Sequence, residues 1–345
     1  MKALAKIQPA KGLTLIEAQE PRIEEEDEVI VEVLSSSICG TDIHIYEWDD
    51  WAKNRIEIPR IIGHEMVGKV IKKGKNVKSL EIGDIVAGES HIPCMNCYYC
   101  KTGRMHICKN LKVLGVDIDG CFAEYCKTKE ISLWKLNLNL NYEYASSFEP
   151  LGNAVHAISE TNPIGKDILV YGCGPIGIAT IYFLKKLGAS HVIGVDISDY
   201  RLKVAKVFGA DTVINSKKED VEQVIRSEVE EGVDILFEMS GSQDGFTKGL
   251  KLLKSGSTAI LFGIPQREIT IEIAENIILK EIELKGVFGR KMFETWFLLE
   301  KLIKKFGFPF EEFITHRFDL LNFDKAFETL KSGNCIKVLL KPKFN

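Results

Sequence analysis

The stretch Ile168-Leu169-Val170-Tyr171-Gly172-Cys173-Gly174-Pro175-Ile176-Gly177 decides the fold. Its apolar opening reads as a buried strand, and the three glycines stand between that strand and an apolar run of helical length. In this setting Gly172 allows a tight turn, Gly174 lets a pyrophosphate approach the backbone, and Gly177 permits close packing of helix on strand. The helix N-terminus then offers unpaired N–H groups and the positive end of its dipole to phosphate oxygens. Glycines at this spacing also mark plain turns, so the surrounding chain has to carry the reading.

Outward from the loop, the next strand-like run, His191 to Val195, ends at Asp196, about 20 residues beyond the glycines. A carboxylate there accepts hydrogen bonds from both ribose hydroxyls and repels a 2′-phosphate, which favours NAD over NADP. Asp196 is also placed to cap the helix beginning near Tyr200, and Arg201 leaves the coenzyme choice open. Further strand-like runs at Thr212 to Ile214, Ile235 to Phe237 and Thr258 to Phe262 alternate with segments of helical length, the pattern of a parallel sheet wrapped by helices.

This pattern starts near Asn162-Pro163-Ile164-Gly165. Upstream, Val29 to Leu34, Met66 to Lys72 and Asp84 to Ala87 are short, β-branched and punctuated by glycine, so the first 150 residues read as mainly β. Downstream, Phe293 to Lys305 has the pattern of a helix, and Ile336 to Leu340 reads as a last strand after Gly333-Asn334. No internal repeat or low-complexity tract interrupts the chain.

At 345 residues the chain exceeds one ordinary core, and its apolar and charged fractions of 45% and 27% are those of a folded protein. A net charge of −4 gives no electrostatic reason to expect nucleic acid or an anionic membrane, so a small-molecule partner is expected. No apolar run is long enough to span a bilayer and Met1 to Gly12 lacks a signal-peptide core, which points to the cytoplasm. Nine cysteines in such a chain suggest reduced thiols and metal more than disulfides.

Cys94-x2-Cys97-x2-Cys100-x7-Cys108 is the strongest local signal, because four thiolates at this spacing close a tetrahedron around Zn²⁺ and leave no open position. That makes a structural site. The flanks carry only a modest basic excess, which argues against a nucleic-acid-binding zinc module. A second set is scattered: Cys39-Gly-Thr41-Asp-Ile-His44, Gly63-His64-Glu65 and Glu149 to His156. A thiolate, an imidazole and a carboxylate brought together would hold zinc with one position open, as catalytic zinc requires. Taken singly, each of these residues reads equally as packed core or solvated surface.

Together these motifs resemble the zinc-containing medium-chain alcohol dehydrogenases over essentially the whole chain. The resemblance implies an α/β protein in two parts: a GroES-like β-rich catalytic domain from residues 1–150 and 290–345, and a Rossmann doubly wound parallel-sheet domain over 151–289. It implies that Cys39, His64 and Glu149 ligate a catalytic zinc, with Glu65 able to enter or leave the coordination sphere, and that Cys94, Cys97, Cys100 and Cys108 hold one structural zinc. Gly172, Gly174, Pro175, Ile176, Gly177, Asp196, Arg201, Phe262, Gly263, Ile264, Val287 and Phe288 are implied to line the NAD site, and Thr41 and His44 to relay the hydroxyl proton to water.

Glu149, where many members of the family carry a second cysteine, fits the polyol and threonine branches. Cys39 to Asp49, Glu149 to His156 and Gly289 to Trp296 are most similar to the branch that oxidises L-threonine, and family likeness implies a homotetramer. Cys173 within the glycine loop and Met66 after His64-Glu65 are small departures. A polyol or 2,3-butanediol dehydrogenase of the same family is the nearest rival, and a non-catalytic zinc and nucleotide-binding protein is the rival of another class. Thr41 and His44 have bland readings as a backbone-satisfying hydroxyl and a cleft side chain. His91, just ahead of the cysteine lobe, is expected as a solvated loop histidine more than as a side chain facing the substrate, His106 and His316 as structural, Tyr98-Tyr99 as cover for the cysteine lobe, and Glu24 to Glu28 as a solvated turn.

Overall fold

In the computed structural model, which describes residues 1–138 and 140–342, the chain divides into two units, Met1–Glu149 with Phe313–Asn345 and Pro150–Glu312. The second unit is built on six strands in chain order: β1 (Asp167–Tyr171), β2 (His191–Asp196), β3 (Thr212–Asn215), β4 (Val233–Glu238), β5 (Leu253–Leu261) and β6 (Glu283–Gly286). They lie in the spatial order 3-2-1-4-5-6 and every neighbouring pair is parallel. This is the doubly wound order, whose crevice opens at the carboxyl ends of β1 and β4, where the winding reverses.

The sequence explains why β1 is central. Ile168, Leu169 and Val170 are fully buried, as a strand covered by helices on both faces requires, and the core continues through Ile193, Val195, Ile214, Leu236 and Ala259. Helix starts are set by short polar caps: Ser198, Asp220 and Ser242 each accept from backbone N–H groups of the following helix. Ser198, not Asp196, is therefore the cap of the helix Asp199–Val207.

The first unit is β-rich. Seven strands form one sheet, six of them in the order Leu133–Lys135, Ile85–Gly88, Glu65–Lys73, Glu28–Ser37, Lys337–Lys341 and Ile314–Asp319, while Tyr125–Lys129 also pairs with Glu28–Ser37. The C-terminal strand thus returns to the start of the chain, placing Leu339 opposite Ser37 and Leu340 opposite Ser36. Leu4, Val31, Ile38, Val70, Phe122, Phe327 and Val338 fill the core.

Two features differ from the sequence reading. Residues 290–312, expected to rejoin the first unit, belong to the second. The helix Glu294–Phe306 buries Trp296, Leu299, Leu302 and Ile303, and Phe308 beyond it meets Tyr182 and Phe183 at centroid distances of 5.2 and 5.6 Å. That aromatic contact holds the segment against the parallel-sheet unit. The acidic run Glu24 to Glu28 is only partly a solvated turn, because Glu28 is buried and its carboxylate accepts the N–H groups of Glu24 and Glu25 at 2.8 and 3.0 Å.

Trp296 is fully buried. Trp296→Ala should cost about 3–5 kcal/mol of stability, read as an earlier denaturant midpoint for the unfolding of the second unit. An unchanged midpoint would contradict its place in that core.

Candidate metal and dinucleotide sites

The cysteine lobe is built by tight local turns. Cys97 stands at the N-cap of the short helix Tyr98–Lys101, and Cys108 follows a single 3₁₀ turn, Met105–Ile107. The sulfur separations are 3.6 Å for Cys97 and Cys100, 3.7 Å for Cys97 and Cys108, and 3.4 Å for Cys94 and Cys108. A disulfide needs about 2.05 Å, whereas zinc with bonds of about 2.3 Å spaces its tetrahedral sulfurs about 3.8 Å apart. Backbone N–H groups of Cys94 and Asn110 point at the Cys108 sulfur, each at 3.3 Å, as they do toward thiolates. The N–H groups of Cys100 and Lys109 pull the Cys97 thiol down to about 6, while burial pushes Cys100 up to about 12. The donor set fits structural zinc. Tyr98 and Tyr99 meet edge to face at 5.6 Å under Arg104 on the surface of this lobe.

The scattered set converges in part. The ligand atoms of Cys39, His64 and Glu65 all lie within 4.8 Å of one another. Glu149 is outside that group; it is buried in the same neighbourhood, accepts a hydrogen bond from Ser90 Oγ at 3.0 Å, and acts on the charge of His64. Thr41 Oγ1 lies 3.9 Å from the Cys39 sulfur, at the start of the helix Gly40–Glu47, and His44 is one turn further along.

Around these residues stand groups the sequence reading did not single out. Asp42 is fully buried; its Oδ2 accepts the Cys39 N–H at 2.8 Å and its Oδ1 lies 3.6 Å from His64 Nδ1, leaving His64 Nε2 for the cluster. A carboxylate behind a ligating imidazole is the usual way a metal site fixes ring orientation. Lys337, also buried, pairs with Glu65 Oε2, which Ser37 Oγ bonds as well, and Lys337 Nζ donates to Ile38 O at 3.1 Å. The other oxygen of Glu65, Oε1, is buried with no hydrogen-bond partner.

Electrostatics sharpen the picture. Burial lowers the proton affinity of His64, but Asp42, the Cys39 sulfur and Glu149 outweigh it and push the pKa up to about 10. Burial raises Asp42 to about 6 despite His64. A field that strong attracts a proton or a metal cation alike, and an orphaned carboxylate oxygen beside a thiol and an imidazole is a donor set that suits zinc. His91, expected as a solvated loop residue, is instead buried on the strand His91–Ile92, with its Nδ1 3.6 Å from Glu89.

In the second unit the glycine loop joins β1 to the helix Pro175–Lys186. Gly172 has φ +104°, a left-handed conformation that suits glycine, and a side chain on Gly177 would put its Cβ 1.9 Å from Gly172 O. Gly174 faces open space, with nothing within 4 Å of a Cβ built there, and Pro175 opens the helix at a position where its missing N–H costs nothing. This is a cradle a ligand's phosphates can enter. Asp196, at the carboxyl end of β2, accepts the Cys173 N–H at 2.8 Å and the Ser198 N–H at 2.9 Å, with Arg201 Nη1 4.0 Å away. Phe262 and Gly263 follow β5 and donate their N–H groups to Glu238 O, each at 2.9 Å. Ile264 and Phe288 are exposed apolar side chains on this unit, Val287 is buried, and Ile176 is half-buried.

Two family models match the chain: the alcohol dehydrogenase GroES-like domain over residues 25–137 and the zinc-binding dehydrogenase domain over residues 175–305. An L-threonine 3-dehydrogenase of Caldanaerobacter subterraneus is 41% identical over 344 residues, covering 99% of both chains, and one of Bacillus subtilis is 41% identical over 343 residues with the same coverage. The crystal structure of 2R,3R-butanediol dehydrogenase from Bacillus subtilis superposes with a TM-score of 0.88 at 26% identity, covering 99% of each chain.

The chain belongs to the zinc-containing alcohol dehydrogenase family.

Family membership makes this dehydrogenase a zinc- and nicotinamide-dependent oxidoreductase, and the two donor sets and the glycine cradle are the features that suit those groups. Among the described residues no helix is long and apolar enough to cross a membrane.

The Glu65–Lys337 pair generates a stability prediction. Lys337→Met leaves a buried carboxylate without its cation, which should cost about 3–5 kcal/mol, measured by denaturant unfolding. Adding Glu65→Gln to that variant should recover much of the loss, and a double variant no more stable than the single one would contradict the pairing.

Proposed function

We propose that this dehydrogenase oxidises the C3 hydroxyl of L-threonine to the ketone of 2-amino-3-oxobutanoate, with NAD as hydride acceptor. The observation that carries this reading is the full-length likeness to the two threonine dehydrogenases, together with the cluster of Cys39, His64 and Glu65. Bound to the enzyme, zinc supplies Lewis acidity that lowers the pKa of a hydroxyl, and NAD accepts the hydride.

Roles for the chain's own residues are supported by their contacts. Cys39 and His64 hold the metal, joined by Glu149 or Glu65 as the third protein ligand. Asp42 sets its charge behind the ring of His64, and Lys337 with Ser37 holds one oxygen of Glu65 so that the other is kept for the metal. Cys94, Cys97, Cys100 and Cys108 close a second, structural zinc. Thr41 and His44 take the hydroxyl proton and pass it to water, with His44, about a third exposed, as the outer member. Gly172, Gly174, Pro175, Ile176 and Gly177 cradle the pyrophosphate, Asp196 accepts the ribose hydroxyls, and Arg201, Phe262, Gly263, Ile264, Val287 and Phe288 line the rest of the NAD site.

A homotetramer suits the open edge strand β6 and the exposed Ile273, Ile278, Leu279 and Leu284 on the same unit, which a second copy could cover. Nine free cysteines suit the reducing cytoplasm. The GroES-like catalytic domain comprises residues 1–149 and 313–345 and the Rossmann domain residues 150–312, a division that the two compact units support.

A polyol or 2,3-butanediol substrate is the second reading, supported by the butanediol dehydrogenase likeness. NADH formation measured with L-threonine, D-threonine, sorbitol and 2,3-butanediol separates the two. L-Threonine should give the highest kcat/KM, whereas a higher value for either of the last two would replace it. No alcohol-dependent NADH with any secondary alcohol would favour a binding protein without catalysis.

The coenzyme reading is tested at Asp196. Asp196→Ser removes charge-assisted hydrogen bonds of about 1.5–3 kcal/mol, so kcat/KM for NAD should fall about 10-fold to 100-fold while that for NADP rises relative to it. An unchanged coenzyme ratio would remove Asp196 from the ribose site.

A further inference from the structure

We propose that Asp49 is the positioning residue that makes His44 a proton acceptor, by fixing which ring nitrogen carries the hydrogen. This rests on the reading of His44 as the outer member of the proton relay and adds to it a group outside that relay.

The helix Gly40–Glu47 ends at Trp48, which adopts a left-handed conformation with φ 56° and ψ 49° and donates its N–H to His44 O. That reversal turns the chain back toward the helix it has just left. Lys6, a buried amine, stabilises it from the N-terminal strand: its Nζ lies 4.9 Å from the centre of the Trp48 ring and donates to Tyr46 O at 3.4 Å and to Gly12 O at 2.9 Å.

Asp49 comes next, and its two oxygens have separate partners. Oδ1 caps the following helix, Asp50–Arg55, by accepting the Ala52 N–H at 3.0 Å. Oδ2 lies 2.5 Å from His44 Nδ1. Burial pushes the Asp49 carboxyl up, but His44 and the Ala52 amide outweigh it and hold the group below the usual range, so it is ionised near neutral pH. An ionised carboxylate can only accept a hydrogen bond. Nδ1 therefore carries the hydrogen, and Nε2 is left with its lone pair. The indole of Trp51, at a centroid distance of 5.9 Å, packs against the ring and limits its rotation.

The consequence is specific to proton acceptance. Oxidation of the alcohol yields a ketone, NADH and one proton, and that proton must find a lone pair. With Asp49 in place the lone pair is on Nε2, on the side of the ring away from the carboxylate. His44 Nε2 accepts the proton and gives it to water, while Asp49 keeps its charge throughout and takes no proton. His44 and Asp49 are each about a third exposed, so solvent screens their charge attraction, and the effect of Asp49 lies in geometry and tautomer.

Asparagine at position 49 separates the two tasks. Its side-chain oxygen can still cap Ala52, but the NH₂ that replaces Oδ2 donates to Nδ1, which moves the hydrogen to Nε2 and removes the acceptor. Serine at 49 also caps a helix but is too short to reach the ring. The experiment compares Asp49→Asn, Asp49→Ser, His44→Gln and the double variant Asp49→Asn/His44→Gln in NADH formation, with L-threonine or with 2,3-butanediol if the substrate panel selects it. Zinc content, thermal unfolding and the response to added imidazole buffer are measured on each.

Each single variant should lower kcat at least about tenfold, with zinc content and thermal midpoint near those of the parent. The double variant should be no slower than His44→Gln alone, because Asp49 acts only through the ring, and imidazole should restore much of the lost rate in all of them. A slow His44→Gln beside a normal Asp49→Asn would overturn the role of Asp49 and leave the relay standing. A normal His44→Gln would end the relay reading and this inference with it. Multiplying effects in the double variant, or a rate that imidazole leaves unchanged, would show that Asp49 matters through the fold of residues 50–55 and would overturn the proposal.

Discussion

Buried negative charge in need of a cation is the constraint on which the first unit depends. Asp42, Glu65 and Glu149 are buried around one imidazole with the half-buried Cys39 sulfur beside it, and Lys337 is a buried lysine set against them. Isolating such charges from water costs several kcal/mol per ion unless they are paired. A metal dication is the charge the arrangement calls for. Much of the local architecture serves that convergence: the sheet brings Ser37 beside Glu65, and the C-terminal strand returns across the unit to deliver Lys337.

The second unit handles its ligand by the opposite means. Its phosphate cradle is made of neutral backbone, with glycines where a side chain would block the turn, and the buried carboxylates at the strand ends, Asp196 and Glu238, are already held by backbone N–H groups, those of Cys173 and Ser198 and those of Ser240 and Gly241. Carboxylate oxygen is left unpartnered where bond polarisation is required and is tied to backbone N–H groups where a large anion must be admitted. The division accords with the chemistry of the family: a Lewis-acid centre for the alcohol, and a dipole-lined crevice for the dinucleotide.

Features set by neighbouring residues were legible in the sequence. The glycine loop could be read because backbone conformation at Gly172 and contact at Gly177 are local constraints, and the cysteine lobe because its four sulfurs are brought together by turns of a few residues. Features set by distant packing were not. Nothing near Lys337 in the chain announces Glu65, and Asp42 reads as an ordinary first-turn acid until the fold buries it behind His64. Residues 290–312 read as part of the first unit because the contact that holds them in the second, Phe308 on Tyr182 and Phe183, joins segments far apart in sequence. His91 reads as a loop residue for a related reason, its two-residue strand being too short to show a period.

Cys39 and His64 offer donors for a metal ion apart from the set in the cysteine lobe. Anomalous diffraction at the zinc edge from crystals of the protein tests that site most directly. The account predicts two peaks in each chain, one enclosed by Cys94, Cys97, Cys100 and Cys108 and one bonded to the Cys39 sulfur and to His64 Nε2. A filled lobe with no peak beside Cys39 and His64, in protein that oxidises its alcohol at full rate, would contradict it.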